Sequence, residues 1–179
     1  VQSTNRVCER PGAPVLIAAG GASIALYATA IARALGAERV DLVGGNGFLR
    51  GTAERLGANL LDEEFPRRLG PYPITVDASG DVDGLACALR STEPEGVCTS
   101  IGIYFAETTP VPLLEMYTNG IRFHTGRVHA RPAMPAILEL VRDGRFRPEL
   151  VTGETATWER AAEAVAGHRS KLVVTREDA

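Results

Sequence analysis

The sequence predicts an α/β protein in which a parallel sheet carries helices on both faces. Three observations predict it. Val15-Leu16-Ile17-Ala18-Ala19 is an apolar run with the length of one strand buried on both sides. Gly20 and Gly21 break that run, an alanine-rich apolar helix follows, and a second apolar run begins at Val40. Strand and helix patterns then keep alternating to the end of the chain, which is the signature of crossover units closing a parallel sheet with right-handed connections.

The elements can be justified in order. Residues 1–14 form a polar lead-in closed by the turn Pro11-Gly12-Ala13-Pro14. The strand Val15–Ala19 leads into a helix over Ser23–Leu35, with Ser23 placed to cap its start and Gly36 placed as its C′ residue. Val40–Val43 is the second strand. A loop of Gly44, Gly45, Asn46 and Gly47 precedes a short helix over Leu49–Leu56, closed by Gly57, and Asn59–Leu61 is a brief third strand. The segment 62–73 holds Pro66, Pro71 and Pro73 among acidic and basic residues, so the crossover there is expected to be a loop, clear of the cofactor. Ile74–Ala78 is a strand, Val82–Arg90 a helix with Leu85 and Leu89 on one face, and Gly96–Ile103 a strand. Leu113–Tyr117 gives one or two helical turns and Ile121–Thr125 a further strand. Ala133–Arg142 is an amphipathic helix whose face is formed by Ile137, Leu138 and Val141. A helix over Trp158–Ala166 and a strand over Lys171–Thr175 close the chain.

Bulk properties narrow the function. With 179 residues the chain is one domain, or one domain with an appendage, and needs no disulfide staples. Net charge is −3 and no basic run occurs, which argues against nucleic acid as a partner. No apolar stretch reaches the ~18 residues of a membrane helix. Cys8, Cys87 and Cys98 form neither a C-x-x-C pair nor an even framework, so a reducing, cytoplasmic setting is expected and each thiol reads as a small buried hydrophobe. His124 and His129 are five apart, on opposite faces if the strand continues, so a shared metal is not expected. His168 beside Arg169 and Lys171 is expected at the surface. The pairs Glu63-Glu64 and Glu93-x-Glu95 read as solvated surface, and no Ser-His-Asp arrangement can be assembled.

The turn after the first strand carries the chemistry. Strand, glycine turn, helix and strand form the first half of a dinucleotide-binding unit, in which backbone N–H groups and a helix N-terminus face a pyrophosphate. The best register of the G-x-G-x-x-G pattern is Gly20-x-Ala22-x-x-Ala25. Gly20 can make the tight turn, the Ala22 methyl narrows the approach to the phosphates, and Ala25 still lets helix and strand pack closely. The candidate phosphate-side residues are therefore Gly20, Gly21, Ala22, Ser23 and Ile24. The other reading open here is a crossover of the same shape that holds a core and no ligand.

Arg10-Pro11-Gly12, Ala32-Arg33-Ala34-Leu35-Gly36-Ala37, Arg55-Leu56-Gly57-Ala58, Val76-Asp77-Ala78-Ser79-Gly80, Ile121-Arg122-Phe123-His124-Thr125-Gly126, Trp158–Ala164 and Lys171-Leu172-Val173-Val174 follow one another in order. By them the chain resembles the C-terminal, cofactor-binding half of the medium-chain, zinc-type alcohol dehydrogenases. The resemblance implies a Rossmann-type doubly wound sheet of order 3-2-1-4-5-6 over residues 1–129, with a tail over residues 130–179 that in the family packs on a separate catalytic domain. It implies NAD or NADP lying over the carboxyl ends of the strands. Ser79 and Gly80 would border the cofactor, Ile101 and Gly102 would approach the nicotinamide, and Lys171 would reach the pyrophosphate. It also implies a homo-oligomer, commonly a dimer, paired through Ile121–Thr125; an edge strand blunted by Arg122 is the alternative. The catalytic zinc of the family belongs to the other domain, none of its upstream ligand positions stands in this chain, and Cys8 comes too late to be one. Together with the opening on Val1, this makes a piece of a longer, hydride-transferring enzyme the expectation. The isolated chain is expected to show no turnover.

One departure bears on the cofactor. The second strand of an NAD site ends in an acid that accepts the adenosine ribose hydroxyls. Here that position is Gly44, followed by Gly45, while Asp41 comes three residues early. A missing carboxylate removes repulsion against a 2′-phosphate, and Arg50 on the next helix either pairs with that phosphate or is a solvated helix residue. The departure favours NADP over NAD. A Rossmann domain without nucleotide, serving assembly or packing, remains the rival function.

Overall fold

In a computed structural model of the chain, residues 10–21, 23–128, 130–167 and 171–176 are described. Six parallel strands form one sheet: β1 (Val15–Ala19), β2 (Val40–Gly44), β3 (Asn59–Leu60), β4 (Tyr72–Ala78), β5 (Thr92–Ser100) and β6 (Arg122–His124). Their order is β3-β2-β1-β4-β5-β6, the doubly wound arrangement that the family resemblance implies. The order reverses between β1 and β4, which makes this the topological switch point of the sheet.

Helices α1 (Ile24–Ala34) and α2 (Gly47–Arg55) follow β1 and β2, and α3 (Val82–Arg90) follows β4. Both faces of the sheet are covered. Ile17, Leu26, Leu42, Leu49, Ile74 and Val76 belong to one buried cluster, and Leu16, Val43, Leu85, Leu89 and Cys98 to another. All five residues of β1 are buried, which is why the strand reads as an unbroken apolar run with no alternation. Asp81 caps α3 by accepting hydrogen bonds from the amides of Asp83 at 2.7 Å and Gly84 at 3.3 Å.

The crossover from β3 to β4 is a loop, as its prolines predict, although β4 begins at Tyr72 and runs through Pro73, where its register with β5 shifts. Strand β5 begins earlier than its sequence suggests and ends at Ser100, so Ile101 and Gly102 lie just beyond it. Between β5 and β6 stands α4 (Leu113–Thr118), whose Glu115 takes ion pairs from Arg90 at 2.9 Å and Arg67 at 3.2 Å. The edge strand β6 is shorter than expected, at three residues.

The tail starts with α5 (Ala130–Arg142) and continues into two parallel strands, β7 (Glu154–Thr157) and β8 (Leu172–Thr175), linked by a 3-10 turn and α6 (Ala161–Gly167). The packed face of α5 differs from the one read in the sequence. Leu140 and Ile137 join Ala30, Ile31, Ala34 and Phe146, while Leu138 and Val141 are exposed. Arg145 donates to the Ala34 carbonyl and fixes this end of the tail to α1. Among the described residues, no helix is long and apolar enough to cross a membrane.

Candidate functional site

The turn leaving β1 is pressed against the exit of β4. Gly20 N donates to the Ala78 carbonyl at 3.1 Å, and a Cβ on Gly20 would overlap the Ser79 carbonyl oxygen. Only glycine fits this cradle. Gly21 is exposed, with space for a Cβ at 3.7 Å from Asn46 Nδ2. Ala22 lies outside the described residues. Ser23 occupies the N-cap of α1 but differs from the expected cap. Its backbone is already helical and its side chain makes no capping hydrogen bond, although its carbonyl accepts from Tyr27 N at 3.1 Å. The opening amides of α1 therefore receive nothing from the Ser23 hydroxyl, which leaves the positive end of the helix available to an anion. Ile24 is exposed on this first turn.

The end of β2 is built around two glycines. Gly44 sits at φ +80°, and a Cβ there would come within 2.6 Å of both the Ala19 carbonyl oxygen and the Phe65 ring. Gly45, at φ +81°, would place a Cβ 2.8 Å from Leu49 Cδ2. Gly44 N donates to the Asp62 carbonyl at 2.9 Å, which ties the β3–β4 loop to the strand end. Arg50 completes that tie. Its guanidinium donates to the carbonyls of Gly44 at 3.1 Å, Asp62 at 3.2 Å and Leu61 at 2.6 Å, and its Nε lies 3.6 Å from Glu63 Oε1. Arg50 is therefore not the solvated helix residue that was one of its two readings, since its side chain is 12% exposed and held by the loop. Asp41 is committed as well, accepting from Tyr72 at 2.6 Å and Asn59 at 3.0 Å and pairing with Arg39 at 2.8 Å. Residues Asp62 to Pro66 line a cleft of about 370 Å³ beside this strand end.

The third wall joins the ends of β4 and β5. Gly80 takes φ +67°, and a Cβ on Gly102 would lie 3.0 Å from Gly80 N, so the two loops touch through backbone. Beneath them Asp77 is fully buried and accepts four hydrogen bonds. Ser79 N at 3.0 Å and Ser79 Oγ at 2.6 Å share Oδ1, and Ser100 Oγ at 2.6 Å and Tyr104 OH at 2.7 Å share Oδ2. Burial first, and then the bond to Asp77, push the Tyr104 phenol above its ordinary range. Ile101 is half-buried against the first cluster and donates to the Asp77 carbonyl at 2.8 Å. The Asp77 network escapes sequence reasoning. The available signal was an acid inside the apolar strand, followed two residues later by a serine able to return to it.

Gly20, Ser79, Gly80 and Gly102 are thus brought together at one rim, and Gly44, Gly45 and Arg50 form its neighbour. Lys171 stands elsewhere in the connectivity. Its carbonyl accepts from Gly153 N at 2.8 Å and Glu154 N at 3.1 Å at the head of the β7–β8 pair. His129, His168 and Cys8 fall outside the described residues. Cys87 and Cys98 are buried free thiols. Among the described residues, no group of three or more His, Cys, Asp or Glu side chains is arranged to hold a metal ion.

In fold, this architecture is similar to solved alcohol dehydrogenases and related dehydrogenases. 2R,3R-butanediol dehydrogenase from Bacillus subtilis superposes with a TM-score of 0.84 at 18% identity, covering 98% of this chain and 54% of its own. Alcohol dehydrogenase TADH from Thermus sp. ATN1 gives 0.77 at 23% identity, covering 97% and 57%. A protein of Sinorhizobium meliloti 1021 described as a zinc-binding dehydrogenase, with NADP bound, gives 0.80 at 17% identity, covering 97% and 55%. The chain therefore spans about half the length of the structures it matches, consistent with their C-terminal half. No protein-family profile and no curated protein matches the sequence.

Proposed function

We propose that the chain binds a nicotinamide dinucleotide across the carboxyl ends of β1, β2, β4 and β5, as the cofactor-binding half of an alcohol dehydrogenase-like oxidoreductase. The observation that carries the reading is the Gly20 cradle. The chain keeps glycine where the β1 turn meets the Ser79 carbonyl, and the helix that follows begins without a side-chain cap. That is the local design of a diphosphate site at a helix N-terminus.

Each residue has a part in this reading. Gly20, Gly21, Ala22, Ser23 and Ile24 present the turn and first-turn amides to the diphosphate. Gly44 and Gly45 carry the strand end on which the adenosine ribose would lie, with Arg50 holding that end together. Ser79, Gly80, Ile101 and Gly102 form the wall against which the nicotinamide rests, kept in register by Asp77. Lys171 would reach the diphosphate from the tail. The bound cofactor supplies the hydride chemistry, exchanged with an alcohol or aldehyde, while this chain positions the ring and excludes water from one face. The substrate site and any zinc belong to sequence beyond the fold described here, so the 179 residues alone carry no turnover in this reading. A second copy would pair through Arg122–His124, the edge of the sheet.

Titration calorimetry of the chain with NADH and with NADPH tests the proposal. Binding between micromolar and low millimolar is expected. Absence of heat at several millimolar of both overturns it and supports a domain of this fold used for packing alone. Gly20→Val should abolish binding. Because any Cβ at this position meets the Ser79 carbonyl, circular dichroism must show a folded chain.

A further inference from the structure

Resting on that reading, we infer that the adenosine end of the site is built for a ribose without a 2′-phosphate, and that Glu63 of the β3–β4 loop takes the part of the acid that β2 lacks. The cofactor is then NAD(H), the reverse of what the sequence alone suggests.

Three observations converge. The usual position for the acid is closed, since any side chain on Gly44 would run into the Phe65 ring and the Ala19 carbonyl at a left-handed backbone. The loop that fills this space is fastened to the same strand end by the Gly44 N to Asp62 O bond. It thereby brings the consecutive carboxylates of Asp62, Glu63 and Glu64, all exposed, to the rim where a ribose would lie. Finally, the cation that a 2′-phosphate would need is already engaged. The Arg50 side chain is 12% exposed, with its Nη groups on three carbonyls and its Nε facing Glu63. To reach a phosphate it would abandon bonds that hold the loop to the strand. Glu63, at 77% exposure, keeps acceptor oxygens open to solvent and to ribose hydroxyls.

A 2′-phosphate arriving here meets like charge on the loop and a cation whose donors are occupied, whereas a free ribose meets an acceptor. The distinction is electrostatic, so it weakens with salt.

The test is direct titration of the full chain with NADH and NADPH at two ionic strengths, repeated on Glu63→Gln. The wild type should bind NADH at least tenfold more tightly than NADPH, with the ratio shrinking at high salt. Glu63→Gln should narrow the ratio at least threefold with an unchanged melting temperature, and an additional Asp62→Asn and Glu64→Gln should narrow it further. Equal or tighter binding of NADPH by the wild type, or an unchanged ratio in Glu63→Gln, overturns the inference while leaving nucleotide binding intact. Failure of both nucleotides to bind overturns the binding reading and this one with it.

Discussion

Asp77 is the residue on which the rim turns. Its four donors come from the turn after β4, the last residue of β5 and the loop beyond it, so one carboxylate joins the exits of β4 and β5. Asp77→Asn keeps the shape but turns an acceptor into a donor facing other donors. The expected cost is about 2–3 kcal/mol, because bonds to a charged group are lost and buried donors go unmet, and urea denaturation reads it. Gly44→Asp argues the same way at the neighbouring strand end. Restoring the acid on β2 forces a side chain onto a left-handed backbone against Phe65, and should cost about 1–3 kcal/mol in the same assay without improving NADH affinity. Gly44 is thus legible in the sequence as a glycine. Its reason is not legible, because Phe65 lies on a loop whose path depends on Arg50, and no local pattern announces three carbonyls converging on one guanidinium.

At the scale of elements, α5 shows where periodicity misleads. The sequence pattern marks a face of Ile137, Leu138 and Val141, whereas the chain packs Ile137 with Leu140 and leaves Leu138 exposed. The partner decides. Phe146 and the small residues Ala30 and Ala34 of α1 make a surface that Leu140, at 6% exposure, fills, while Leu138 stays at 59%. Leu140→Ala should therefore destabilise by about 2–4 kcal/mol and Leu138→Ala by less than about 0.5, a contrast that thermal melts resolve. Strand β7 was invisible for a related reason. Its residues Glu154–Thr157 are polar and partly exposed, and they become a strand only by pairing with β8. By contrast β1 was legible as an unbroken apolar run, and β2 and β4 as mainly apolar runs interrupted by Asp41 and by Thr75 and Asp77, since these strands are buried on both faces.

For the whole molecule, the groups buried without charge set the response to alkali. Burial pushes the Cys98 thiol up to about 12 from an ordinary 9.0, and desolvation likewise raises Cys87, Tyr72 and Tyr104. A raised folded value means that the unfolded chain gives up its proton first. The stabilisation is complete below about pH 9 and is lost progressively as pH approaches about 12. Denaturation midpoints should fall between pH 8.5 and 10.5 by roughly the increment expected of such linkage, and both thiols should resist a disulfide reagent until the chain unfolds. The alternation of patterns carried the parallel sheet with helices on both faces, and the family resemblance carried its strand order; the candidate site was placed from the glycines after β1. What the sequence withheld were the bonds between distant segments, from Asp77 to Tyr104 and from Arg50 to the β3–β4 loop.

The contact between the β1 turn and the Ser79 carbonyl has a bearing on how this protein can be altered. Position 20 is not an independent variable: any residue larger than glycine there must be matched by a displaced β4 exit, which would in turn shift Gly80, Gly102 and the loop beyond β5. Libraries that diversify the first turn alone will sample mostly misassembled chains, whereas those that vary positions 20, 79, 80 and 102 jointly can explore new shapes of the rim without dismantling the sheet.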